Sequence, residues 1–199
     1  MSITKQTDRA QIQNYSNTGI ALFNQIEAGL LNLVGETAVV AYKGANALAF
    51  KTKCTSNAVE FANTCSQNMQ QMSDIITQAC TFIASALGGA VITLDPPTMV
   101  VDLPAIDADT SVESATDGPL RDLAMSTGRI YDAVEQSFAA NLQAFTSLGA
   151  TGWVGPEYDD ALGQIQSLTT AINASIANSR SVMVADINNQ LTALGFAAA

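Results

Sequence analysis

Histidine is absent from the 199 residues, and with it go Ser-His-Asp and Cys-His catalysis and the usual histidine-containing zinc sites. Charge is scarce as well. Only 13% of residues are charged, with 18 acids against 8 bases and a net charge of −10. Phosphate binding needs a basic face, so this balance argues against nucleic acid as a partner. Aromatic residues make up 6% of a chain that is 48% apolar. No stretch of about 18 uninterrupted apolar residues exists, so no segment reads as a membrane-spanning helix. The apolar run from Phe82 to Leu94 is short and stops at Asp95, Pro96 and Pro97, and the run from Leu30 to Phe50 is broken by Glu36 and Lys43. Residues Met1 to Asn17 are polar and lack the apolar stretch of a signal peptide. Also missing are the phosphate-binding, dinucleotide-binding, nucleophile-elbow and C-x-x-C motifs. The sequence therefore predicts a protein that is not an enzyme and holds no cofactor or metal.

Cysteine is limited to Cys54, Cys65 and Cys80. On one helix they would lie about 16 Å and about 22 Å apart along the axis. A disulfide needs Cα atoms within about 7 Å, so these three cannot pair with one another and are expected as buried, small apolar residues.

Helical periodicity fills most of what remains. Between Asp8 and Val34, Ile12, Tyr15, Leu22, Phe23, Ile26, Leu30 and Leu33 recur every three or four positions. A longer stripe, from Phe50 through Cys54, Ala58, Phe61, Cys65, Met69, Met72 and Ile76 to Ile83, predicts a second helix over Ala45 to Leu87 with a coiled-coil-like seam. Pro119 is read as the first residue of a third helix carrying Leu123, Ile130, Val134, Phe138, Leu142, Phe145 and Leu148, ended by the segment Gly149 to Gly155. Pro156 restarts a fourth, with Glu157, Asp159 and Asp160 in its first turn, where acids complement the helix dipole. The expected fold class is all-α: an elongated antiparallel four-helix bundle made of two tandem helical hairpins, residues 1–88 and 119–199, sharing one bundle.

Residues 89–118 join the hairpins. They hold Pro96, Pro97 and Pro104, and their charged residues are all acidic: Asp95, Asp102, Asp107, Asp109, Glu113 and Asp117. The acids are expected in solvent. A calcium site on Asp107, Asp109 and Glu113 is the weaker alternative, because the spacing is not that of an EF-hand loop. Val91-Ile92 and Met99-Val100-Val101 are expected to lie on the helices. Helices of 30–40 residues are about 45–60 Å long, and about 30 linker residues reach about 100 Å, so this segment can carry the chain from the end of the second helix to a distant start of the third.

Both hairpin turns place an aromatic residue two positions before a glycine: Tyr42-Lys43-Gly44, followed by Ala47 and Phe50, and Trp153-Val154-Gly155. The glycine allows a tight reversal, and the aromatic ring plugs the end of the helix pair with a polar edge able to hydrogen-bond. In these residues the chain resembles the WXG family, the small early-secreted-antigen-like substrates of type VII secretion, whose members form one helix-turn-helix hairpin with a central WxG turn. Two such hairpins commonly pair into a four-helix bundle. The resemblance covers nearly the whole chain outside the linker, as two tandem copies, with tyrosine standing for tryptophan in the first. It implies a secreted or secretion-associated module, exported without a signal peptide, whose partners are proteins such as an export machine. Tyr42, Gly44, Trp153 and Gly155 become the expected interaction positions. The family's Tyr-x-x-x-Asp/Glu export signal has one match, Tyr131 to Glu135, which periodicity places on an amphipathic face of the third helix.

Two other readings stay open. A helical pore-forming component would hide an apolar segment between long helices, and Phe82 to Ile106 has that character through Phe82, Ile83, Leu87, Val91, Ile92 and Leu94. A structural assembly protein would pack the alanine-rich surfaces around Ala139-Ala140, Ala171 and Ala174. Sequence alone leaves the choice between monomer and self-assembly undecided.

Overall fold

The computed structural model describes residues 4–90, 92–94, 98–102, 104–106 and 110–199. The fold is an all-α four-helix bundle: α1 (Arg9–Val39), α2 (Ala45–Ala86), α3 (Asp117–Thr151) and α4 (Pro156–Ala193). Among the described residues, four two-residue strands sit at the helix starts: β1 (Gln6–Thr7), β2 (Tyr42–Lys43), β3 (Ser114–Ala115) and β4 (Trp153–Val154). The periodic stripes predicted every helix but none of the strands, because two residues are too few for a period of two to register.

Several helix ends differ from expectation. The first helix runs past Val34 to Val39, since no proline or turn sequence stops the backbone where the apolar stripe fades. The third starts at Asp117, which puts Pro119 in the first turn, where a missing N–H costs no intrahelical bond. Its other end continues through Gly149 to Thr151. Local chemistry sets the remaining boundaries. The Asp8 carboxylate accepts the N–H groups of Ala10 (2.9 Å) and Gln11 (3.1 Å), capping α1. At the end of α2, Gly89 N–H bonds Ala84 O and Gly88 N–H bonds Ser85 O, and Phe196 and Gly195 repeat this pair at the end of α4.

The chain divides into two compact units, each drawing on all four helices. The first comprises Met1–Gln25, Thr64–Thr98 and Gln136–Asn173, and thus combines the starts of α1 and α4 with the ends of α2 and α3. Its core holds Ile12, Phe23, Cys65, Met72, Ile76, Cys80, Ile83, Phe138, Phe145, Trp153, Ile165 and Ile172. The second comprises Ile26–Asn63, Met99–Glu135 and Ala174–Ala199, with a core of Leu30, Leu33, Phe50, Cys54, Phe61, Leu120, Tyr131, Val134, Ile176, Met183, Ile187 and Leu191. Each core thus mixes residues of the first hairpin with residues of the second. Buried threonines are satisfied within their own helices: Thr37, Thr127 and Thr169 each donate to the carbonyl four residues back.

Two described stretches of the linker, 92–94 and 99–101, are fastened to helices. In the first unit Ile92 and Leu94 are buried, Ser73 Oγ donates to Leu94 O, and Leu94 N–H donates to Thr77 Oγ1 at 3.1 Å. In the second unit Met99 and Val101 are buried and Val100 N–H donates to Glu27 Oε1 at 2.9 Å. Val100 departs from expectation: alternation along the extended segment turns its side chain outward, 57% exposed.

All three cysteines are free and buried, and burial pushes each thiol up to about 12. Thiolate is the reactive form, so a disulfide-exchange reagent at pH 8 is expected to label the native chain far below one equivalent and to titrate three thiols per chain once guanidinium unfolds it. Rapid native labelling of any one would contradict the burial.

Candidate interaction site at the two hairpin turns

In the second unit, the α1–α2 turn is built on β2. Tyr42 pairs with Ala115 and Lys43 with Ser114, so the last linker residues before α3 form an antiparallel partner for the turn. Gly44 follows at φ 108°, a conformation that L side chains rarely adopt. Its Cα also lies against Glu113, whose Cγ would be 3.1 Å from a side-chain carbon at this position. Gly44 O then accepts Leu48 N–H, opening α2. Tyr42 is buried. Its ring lies 6.0 Å from that of Phe50, and its hydroxyl donates to Gln190 Oε1 of α4 at 3.2 Å. Ala47 and Phe50 are buried beside it on the first turns of α2.

In the first unit, the α3–α4 turn repeats the plan. Trp153 pairs with Thr7 and Val154 with Gln6, so the partner strand again precedes the start of another helix, here α1. Asp8 N–H closes the pairing on Gly152 O at 2.5 Å. Gly155 sits at φ 141°, and its carbonyl accepts the N–H groups of Tyr158 (3.0 Å) and Asp159 (3.3 Å) at the start of α4. Trp153 is fully buried among aromatic rings, 6.0 Å from Phe145 and 5.7 Å from Tyr158, both edge-to-face. The Tyr158 hydroxyl reaches back to the ending turn of α3, donating towards Phe145 O (3.2 Å) and Thr146 O (3.0 Å). Gly149 makes room for it, since any side chain there would collide with the Tyr158 ring. Lys5 pairs with Glu157, which lowers the Glu157 carboxyl from its ordinary value, and the same ammonium stands 5.5 Å from the Phe82 ring.

The two plugs differ at their polar edges. Tyr42 makes the hydrogen bond expected of it. The Trp153 indole Nε1–H is buried with no acceptor among the described residues, because the ring is surrounded by aromatic faces. Neither ring is open to a partner. What the turns present outward is Ala41, Lys43, Ala45 and Asn46 at the first, and Thr151, Pro156, Asp159 and Asp160 at the second.

The remaining candidates scatter. Of the apolar segment, Ile83, Ile92 and Leu94 are buried, Phe82 (59%) and Leu87 (57%) are exposed, and Val91 lies outside the described residues. Among the described residues no helix is long and apolar enough to cross a membrane. Of the calcium alternative, Asp107 and Asp109 lie outside the described residues and Glu113 backs Gly44. No group of acids and cysteines able to hold a metal ion occurs among the described residues. Tyr131 of the Tyr131–Glu135 match is fully buried in α3, against Phe61. Sequence reasoning missed the strands that cover both motif turns. The only local hint was Trp153-Val154, two residues favoured in strands. Comparison with known proteins finds no matching family model, no similar curated protein and no similar solved structure.

Proposed function

We propose that the chain is a non-enzymatic interaction module of the tandem WXG kind, in which one polypeptide supplies both hairpins and protein partners, including an export machine, read its surface. One observation carries this reading: the aromatic-x-glycine turn occurs twice with the same construction. Each copy has a buried ring, a glycine at positive φ opening the next helix, and a two-residue antiparallel partner strand just before another helix. An ordinary bundle needs no such twin. Because Tyr42 and Trp153 are buried, their role in this reading is to hold the outward residues of each turn in place. A partner would then touch Lys43 and Asn46 at one turn and Pro156, Asp159 and Asp160 at the other.

The test is export. The tagged chain is expressed in a bacterial host with an intact type VII apparatus and in a strain lacking it. The expected result is protein in the medium of the intact strain alone, lost when Asp159 and Asp160 are both changed to Lys. Equal amounts in both media, or none in either, would sink the proposal.

A further inference from the structure

Inside the first unit, α1, α2, α3 and the linker enclose a cavity of about 40 Å³. Its walls are mostly apolar: Ile20 of α1, Met69, Met72 and Ile76 of α2, and Leu94 of the linker. Leu94 is buried and is held at both backbone groups, its carbonyl by Ser73 Oγ and its N–H by Thr77 Oγ1. Ser73 also lines the cavity, so the residue that fastens the linker and the space beneath it are one arrangement. Ser16 and Ile20 are half-buried and mark the mouth.

One polar atom in the cavity is left over. Asn141 of α3 is 2% exposed, its Nδ2 donates to Met72 Sδ at 3.7 Å, and its side chain hydrogen-bonds Tyr15. Asn141 Oδ1 is buried with no hydrogen-bond partner among the described residues. A buried acceptor of this kind costs stability until a donor reaches it. Gly19 keeps the approach open, since a side-chain carbon there would stand 3.4 Å from Oδ1. Size and wall chemistry select the donor. One water-sized group takes roughly 10–15 Å³, so the cavity admits about three. An ordered water makes about three hydrogen bonds, which mostly apolar walls with one spare acceptor do not supply. A single hydroxyl on a short carbon chain fits better: its O–H satisfies Oδ1 and its carbons lie against the adaptable Met69 and Met72 side chains. We infer that this cavity is a binding site for a short-chain alcohol of about ethanol's size, whose hydroxyl donates to Asn141 Oδ1 and whose presence holds Leu94 of the linker in place.

Titration of the full chain with ethanol, followed by methionine-methyl NMR, tests the site. The binding ceiling for three heavy atoms puts the dissociation constant at about 1 mM or weaker, so the titration runs to about 100 mM. The expected result is saturable shifts at Met69 and Met72, none at Met125 or Met183, and slower hydrogen exchange at Leu94 N–H. Acetonitrile has the same number of heavy atoms but no donor, and should bind at least about tenfold more weakly. Asn141→Leu keeps the side chain's size and removes the acceptor, so the preference for ethanol should vanish. Gly19→Ala lays a methyl in ordinary contact with Oδ1 and suits a helix interior, so it should weaken ethanol binding at least about tenfold with helical circular dichroism at the parent level. Shifts that stay linear in ethanol, equal binding of acetonitrile, a preference that survives Asn141→Leu, parent-like binding by Gly19→Ala, or Leu94 exchange that ignores ethanol would each overturn the proposal.

Discussion

Trp153→Ala is expected to lower the unfolding free energy by about 3–5 kcal/mol, the usual cost of truncating a fully buried large aromatic residue. The side chain is 0% exposed and touches the Phe145 and Tyr158 rings, so its loss leaves a cavity that the helix ends cannot close without breaking the Tyr158 bonds to Phe145 O and Thr146 O. Denaturant titration reads the effect as a fall in midpoint at unchanged slope. Trp153→Phe is expected to cost less than about 1.5 kcal/mol. It removes the buried Nε1–H that has no acceptor among the described residues, and the relief of that desolvated donor offsets part of the smaller ring's lost packing. If Trp153→Ala cost under about 1 kcal/mol, Trp153 would not be the plug of this turn.

Tyr131→Ala is the second large effect, again about 3–5 kcal/mol, and it separates two views of the same residue. As the first position of a Tyr-x-x-x-Glu signal, Tyr131 would have to be read by a receptor. As a core residue it is fully buried, with its ring 5.0 Å from Phe61 and its hydroxyl 3.5 Å from Met183 Sδ. Tyr131→Phe keeps the ring contacts and gives up the hydroxyl's weak hydrogen bond to the Met183 sulfur, so it should cost about 1 kcal/mol or less. Calorimetry on both variants, run beside the export assay, distinguishes the views. An alanine variant that melts with the parent but is no longer exported would assign Tyr131 to recognition and overturn its place in the core.

Such effects were only partly legible beforehand. Phe61 and Tyr131 could each be assigned to a stripe, but not to each other, since they sit on different hairpins seventy residues apart. The same holds for Tyr42 and Gln190, whose hydrogen bond satisfies one plug while the equivalent edge of Trp153 finds no acceptor among the described residues.

Alone, the sequence determined the four helices, their order, the two turns with their glycines, and the unpaired cysteines. Helical hydrogen bonds connect residues four apart, so an apolar repeat of three and four, the caps and the glycines are local information that a window of a dozen residues contains. The tertiary structure decided what pairs across distance. It set β1 on β4 and β2 on β3, fastened Leu94 to Ser73 and Thr77, and turned Val100 outward while burying Val101. These features depend on which helix faces overlap and at what height, and no single helix's pattern specifies its partner's register.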